Sequence, residues 1–139
     1  MQPAKATKII DQMMAKDGYT AWLGATRLQE GEGFCTLQMT IRKEMCNGFG
    51  IAHGGITFSL ADSALAFASN SHGQQAVSIE TSISYLKPLY EGDTIIAAAK
   101  EINLGKSIAV YEVQIKKQDG ALVAIFKGTV HRKAKEWEV

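Results

Sequence analysis

The chain has 139 residues, 46% of them hydrophobic and 21% charged, enough for one globular domain with a real core, spanning 1–139, and too few for two. Its formal net charge is +1 with Lys and Arg scattered, so no massed basic surface points to nucleic acid or to an anionic membrane. No stretch approaches the ~20 apolar residues of a spanning helix, and the first apolar run is too short for a secretory leader, so the expected location is the cytoplasm.

In chain order, Ile9, Ile10, Met13 and Met14 recur at helical spacing and predict an amphipathic helix over 4–16, closed by Asp17-Gly18 as a C-cap. Residues 22–28 and the alternation through 34–39 predict two strands joined by a turn at 30–33, a hairpin. Cys35 and Cys46 are isolated, with no CxxC spacing, no neighbouring His pair and no base for Cys46, so both are expected to be reduced packing residues. Residues 42–52 carry Gly48 and Gly50 without a usable period and predict a loop bearing Asn47. From 54 to 71 the chain is alanine-rich and apolar nearly all round, which predicts a buried helix. Four β-like runs follow, 75–85, 94–103, 107–117 and 121–132, with turn signals at Gly92, Gly105 and Asp119-Gly120, the last marking a tight hairpin. One buried helix followed by a four-stranded meander predicts an α+β fold, an antiparallel β-sheet wrapped around one long central helix.

The chemistry concentrates in NGFGIAHGGITFSLAD, residues 47–62. Gly54 and Gly55 stand at the start of the buried helix, where the first N–H groups lack intrahelical partners and point outward, a suitable seat for a developing oxyanion. Asp62 lies about two turns further on, on the same helix but away from its N-terminus. No Ser-His-Asp relay is visible, so the parts on offer for attacking a carbonyl are a carboxylate and one or two oxyanion donors. Structural readings stand beside these. An unpaired carboxylate is avoided in an apolar helix, so Asp62 is paired, faces a cavity, or is functional. Asn47 is by default a turn former or cap, the two glycines a tight loop-to-helix join, and His53 a satisfied loop histidine.

Helix, hairpin, loop with Asn47, His53-Gly54-Gly55, Asp62 and the later strands come in an order that resembles a hotdog-fold acyl-CoA thioesterase over almost the whole chain. NGFGIAHGGITFSLADSALAFASNS, SYLKPLYEGDTI and AIFKGTVHR are similar to the phenylacetic-acid-degradation branch, whose members act on phenylacetyl-CoA or hydroxyphenylacetyl-CoA type esters. The resemblance implies a homo-oligomer, a dimer or a dimer of dimers, with each active site shared between subunits. It assigns Asp62 as nucleophile or general base, the Gly54 amide as the group polarising the thioester carbonyl, and Asn47 as its positioner. It places His53, Gly55 and the hydroxyl of Ser78 beside the substrate, and calls for no metal and no cofactor. Lys87, Lys106 and Arg132 sit where they can meet the phosphates of coenzyme A. Phe49, Phe58 and Tyr85 can shape an aromatic acyl pocket or simply pack the core. Two other functions fit parts of the pattern: a hotdog hydratase or dehydratase, for which His53 lacks an acid at the needed spacing, and a non-catalytic acyl-CoA-binding module, which needs no buried carboxylate.

Overall fold

The predicted buried helix is the axis of the structure, a computed structural model that describes residues 3–139. This helix, α3, spans Gly54–Asn70, and Leu60, Ala61, Ala64, Leu65, Phe67 and Ala68 on it are almost wholly removed from solvent. It is preceded by α1 (Lys5–Ala15), α2 (Gly18–Leu23), β1 (Thr26–Gly31) and β2 (Phe34–Thr40), and followed by β3 (Gln74–Tyr85), β4 (Thr94–Leu104), β5 (Ile108–Lys117) and β6 (Leu122–Glu136). The six strands form one antiparallel sheet in the order β1-β2-β4-β5-β6-β3, and α3 packs against five of them. Alternate residues of β2, β4, β5 and β6 point at the helix: Leu37 and Met39, Ala97 and Ala99, Val113 and Ile115, Ala124 and Phe126. Small side chains on both surfaces bring helix and sheet close. At Gly128 a Cβ would run into the Leu65 side chain, which would have to shift over a larger residue. This is the hotdog fold expected from the sequence, an α+β sheet curled about one long helix.

Two expectations are corrected. Residues 22–23 do not begin a strand, and Asp17 does not end a helix; it starts one. Asp17 Oδ1 accepts from the Thr20 N–H at 2.9 Å and Oδ2 from the Thr20 hydroxyl at 2.6 Å, which caps α2. Helix α2 ends at Gly24 in the left-handed region (φ 74°), and β1 begins only at Thr26. An Asp-Gly pair serves either role, and α2 is too short for its period to be read.

The last four strands are also not a simple meander. Strands β4, β5 and β6 pair in sequence, but β3 pairs with β6, and β4 pairs on its other side with β2. Residues 86–93 make the crossing beneath the start of α3, held by Ala52 N–H to Leu89 O at 2.7 Å and Ile41 N–H to Asp93 O at 2.8 Å. The β1–β2 and β5–β6 hairpins form as predicted, the latter around Asp119-Gly120. Strand β6 runs on to Glu136.

At the far end of α3, Tyr111 on β5 donates to Glu101 Oε2 on β4 at 3.0 Å, and the same oxygen meets His72 Nε2 at 2.5 Å. Burial, then the Glu101 charge and this hydrogen bond, push the Tyr111 phenol above its ordinary range. Cys35 is fully buried and its thiol is pushed up to about 12, first by burial and then by Glu30, so it is inert packing; Cys46 is half-buried and also free. Among the described residues no helix is long and apolar enough to cross a membrane.

Candidate active site

The loop before α3 is ordered by its own polar groups. Asn47 Oδ1 accepts from Phe49 N–H at 2.9 Å and Ile51 N–H at 3.2 Å, while its backbone N–H bonds Ile51 O at 2.8 Å. The exposed Asn47 is therefore a turn former in the protomer, with its side-chain amide nitrogen left over. Bridges from Cys46 to Ala52 and from Ile51 to Tyr90 fix the loop laterally, and His53 N–H bonds Met45 O at 2.8 Å.

His53 is the N-cap of α3. Its Nδ1 accepts from Gly55 N–H at 3.0 Å, which leaves the ring proton on Nε2 and occupies the Gly55 amide. The two free donors expected at this end are thus reduced to one: the Gly54 N–H has no acceptor among the described residues. Gly54 borders a cavity of 320 Å³ together with Ile51, Thr57, Tyr85, Lys87 and Leu89. Tyr85 Oη donates to Gly54 O at 2.8 Å, so the first peptide of α3 is tied to the end of β3. A Cβ on Gly54 would come 3.0 Å from that oxygen.

The aromatic and cationic candidates separate. Phe49 is 89% exposed, Phe58 packs edge-on to Phe126 with ring centroids 5.3 Å apart, and Tyr85 is at the Gly54 cavity. Among Lys87, Lys106 and Arg132, only Lys87 borders that cavity. Arg132 lies inside β6 rather than at its end, and its Nη1 donates to Gly105 O at 2.9 Å.

Asp62 lies about 12 Å further along the helix axis, at roughly 1.5 Å per residue, and faces a different space. It lines a cavity of 270 Å³ with Ser78, Met13, Leu65, Ala76 and Val130. The half-buried carboxyl makes no hydrogen bond or ion pair among the described residues. Burial raises its pKa from 3.8, and the nearby charge of Asp17 pushes the same way, because each disfavours the anion. One protomer therefore brings Asp62 together with Ser78, and Gly54 with Tyr85 and Lys87, but leaves acid and amide in separate cavities. The tie from Tyr85 to Gly54 was not legible in the sequence, where Tyr85 is one more aromatic at a strand end.

Known proteins share this fold and much of this sequence. The family model for the thioesterase superfamily matches residues 49–124. A protein of Archaeoglobus fulgidus with a provisional esterase designation is 45% identical over 90% of this chain and 81% of its own length. Acyl-coenzyme A thioesterase PaaI of Escherichia coli is 39% identical over 92% of this chain and 91% of its own. The solved structure of PaaI, from the phenylacetic acid degradation operon, superimposes with a TM-score of 0.93 over 95% of this chain and 96% of that one. A Streptococcus mutans protein solved bound to acetyl CoA is 27% identical, with a TM-score of 0.79 over 81% of this chain and 91% of its own. Family model, sequence identity and superposition agree over most of the chain, and the chain belongs to the thioesterase superfamily, with the hotdog fold.

Proposed function

We propose that this chain hydrolyses acyl-CoA thioesters of the phenylacetyl or hydroxyphenylacetyl type, releasing the free acid and coenzyme A. Thioester hydrolysis is the chemistry of the family and of the acyl-CoA thioesterase relatives. The aryl preference rests on the likeness to PaaI. The observation that carries the mechanism is Asp62, a half-buried carboxyl without a partner among the described residues and the one charged residue of α3. Burying it has a cost that no contact in the protomer offsets, while desolvation makes it a stronger base. Its anion takes a proton from a water that attacks the thioester carbonyl, or attacks that carbon itself to give a mixed anhydride that water then hydrolyses to the free acid. The uncapped Gly54 N–H stabilises the resulting oxyanion, the C–S bond breaks, and coenzyme A leaves as a thiolate. Asn47, through its free amide nitrogen, positions the carbonyl, Ser78 orients the acid or its water, and His53 and Gly55 border the substrate. Lys87, at the mouth of the Gly54 cavity, is suited to a coenzyme A phosphate.

The open edge of β3 supports a site shared between subunits. That strand pairs with β6 on one side only, and Val77 and Ile79 on it are exposed, an edge that soluble proteins normally cover. Antiparallel pairing of two copies of β3 about their midpoints would bring the Tyr85 end of one beside the Gln74–Ser78 end of the other. Gly54 is tied to Tyr85, and Asp62 shares its cavity with Ala76, Val77 and Ser78. Such a two-fold assembly sets the amide of one subunit against the acid of its neighbour, across the separation that divides them in a single protomer.

The test is Asp62→Asn assayed with phenylacetyl-CoA. The expected result is a fall in kcat of about 10²- to 10⁴-fold with KM changed only a few-fold. Turnover within twofold of the unaltered protein would remove the acid from the mechanism.

A further inference from the structure

The Asp62 cavity has a polar end and an apolar end. Its polar wall groups are mostly occupied: Ser69 Oγ donates to Ala66 O at 3.2 Å, and Asn70 donates to Ala66 O at 2.8 Å and Ala76 O at 3.2 Å. Asn70 Oδ1 accepts from Ala76 N–H at 2.9 Å and Trp137 Nε1–H at 2.8 Å. Asp62 and the Ser78 hydroxyl are left without partners among the described residues, so they mark the reacting end. Met13, Leu65, Ala66, Ala76, Val77 and Val130 form the remainder. At 270 Å³ the space lies just below the ~300 Å³ at which pockets for drug-sized ligands begin, a fit for one ring or a short chain rather than a fatty acyl tail.

Beyond it lies a larger cavity of 630 Å³, bordered by Gln12, Ala15, Lys16, Asp17, Gly18 and Trp137. Its roof is held in place. Trp137 is fixed by its indole bond to Asn70 and by Trp137 N–H to Gly73 O at 2.8 Å, and Gln12 Nε2 donates to Glu138 O at 2.8 Å. Met13, on α1, borders both cavities.

We propose that Met13 is the end wall of the acyl subsite, and that its side chain confines the enzyme to compact acyl groups by closing the Asp62 cavity off from the space beneath Trp137. The proposal rests on Asp62 being the reacting acid. An unbranched thioether on a half-buried helix face can fill such a gap without a fixed shape, and its removal would let an extended chain pass between α1 and the C-terminal tryptophan.

The experiment measures kcat/KM of the full chain with acetyl-CoA, phenylacetyl-CoA and dodecanoyl-CoA. Met13→Ala is expected to raise the dodecanoyl to phenylacetyl ratio about tenfold, the scale on which a hydrophobic pocket discriminates a methylene or two. Met13→Phe, a bulkier wall whose result stands even if the alanine variant does not fold, is expected to lower the phenylacetyl to acetyl ratio about tenfold. Ratios within twofold of the unaltered protein in whichever variant folds would overturn the proposal. Failure of the underlying reading shows differently: the unaltered chain would release no thiol from any of the three substrates, or Asp62→Asn would turn over phenylacetyl-CoA within twofold of it.

Discussion

Asp62 illustrates how a single buried carboxyl carries a stability cost. Its neighbours Ala61, Ala64 and Leu65 are buried, and its carboxyl faces a largely apolar cavity without a partner in the protomer. Burial, with Asp17 adding repulsion, raises the folded-state pKa above the ordinary 3.8, so the folded protein binds this proton more tightly than the unfolded chain. Stability then declines as pH rises from about the unfolded value through the folded one, and the penalty is complete above the folded pKa. Asp62→Asn is neutral throughout. It is therefore expected to melt at a higher temperature than the unaltered protein at pH 7, with the gain fading as pH falls toward the ordinary carboxyl range. Scanning calorimetry across that range checks it, and an equal or lower melting temperature at pH 7 would contradict it. The anomaly of an acid in a greasy helix was visible in the sequence, whereas the occupation of the Gly55 amide by His53 and of Asn47 Oδ1 by its own loop was not, because side-chain partners depend on where the loop closes.

Among the elements, the end of α3 shows how little of a junction can be read from spacing. Asn70 is 3% exposed and ties the helix to the start of β3 through Ala76 and to the C-terminal segment through Trp137. In the sequence it is one polar residue near a helix end. Asn70→Ala would leave the Ala76 N–H and the Trp137 indole N–H without their acceptor, and a buried donor left unpaired costs about 1–3 kcal/mol. The expected loss of stability is about 2–4 kcal/mol in urea unfolding, and a loss below about 1 kcal/mol would show that water replaces the junction. The hairpin at Asp119-Gly120 was legible because its turn chemistry is local. The split of α1 from α2 was not, since an Asp-Gly pair ends one helix as readily as it caps the next.

At the level of the whole molecule, β3 is an edge strand with exposed Val77 and Ile79, and the proposed active site needs that edge to be occupied by a second copy. Ile79→Lys places a charge on the edge without touching the proposed machinery. It is expected to shift the protein to monomers in sedimentation and to lower thioesterase turnover at least about tenfold, while the far-ultraviolet circular dichroism stays that of the folded chain. Monomers that retain full turnover would refute a site shared between subunits. An assembly that persists unchanged would show that β3 is not the contact.

Local chemistry was enough to establish the fold class, the buried helix and the two hairpins. Hydrophobic period, turn residues and an out-of-place carboxylate are written into neighbouring positions of the chain. Long-range pairing decided the rest. Strand β3 leaves β4 and joins β6, which puts β3 at the edge of the sheet, because strand order depends on which surfaces must cover α3 and not on the order in which they are encoded.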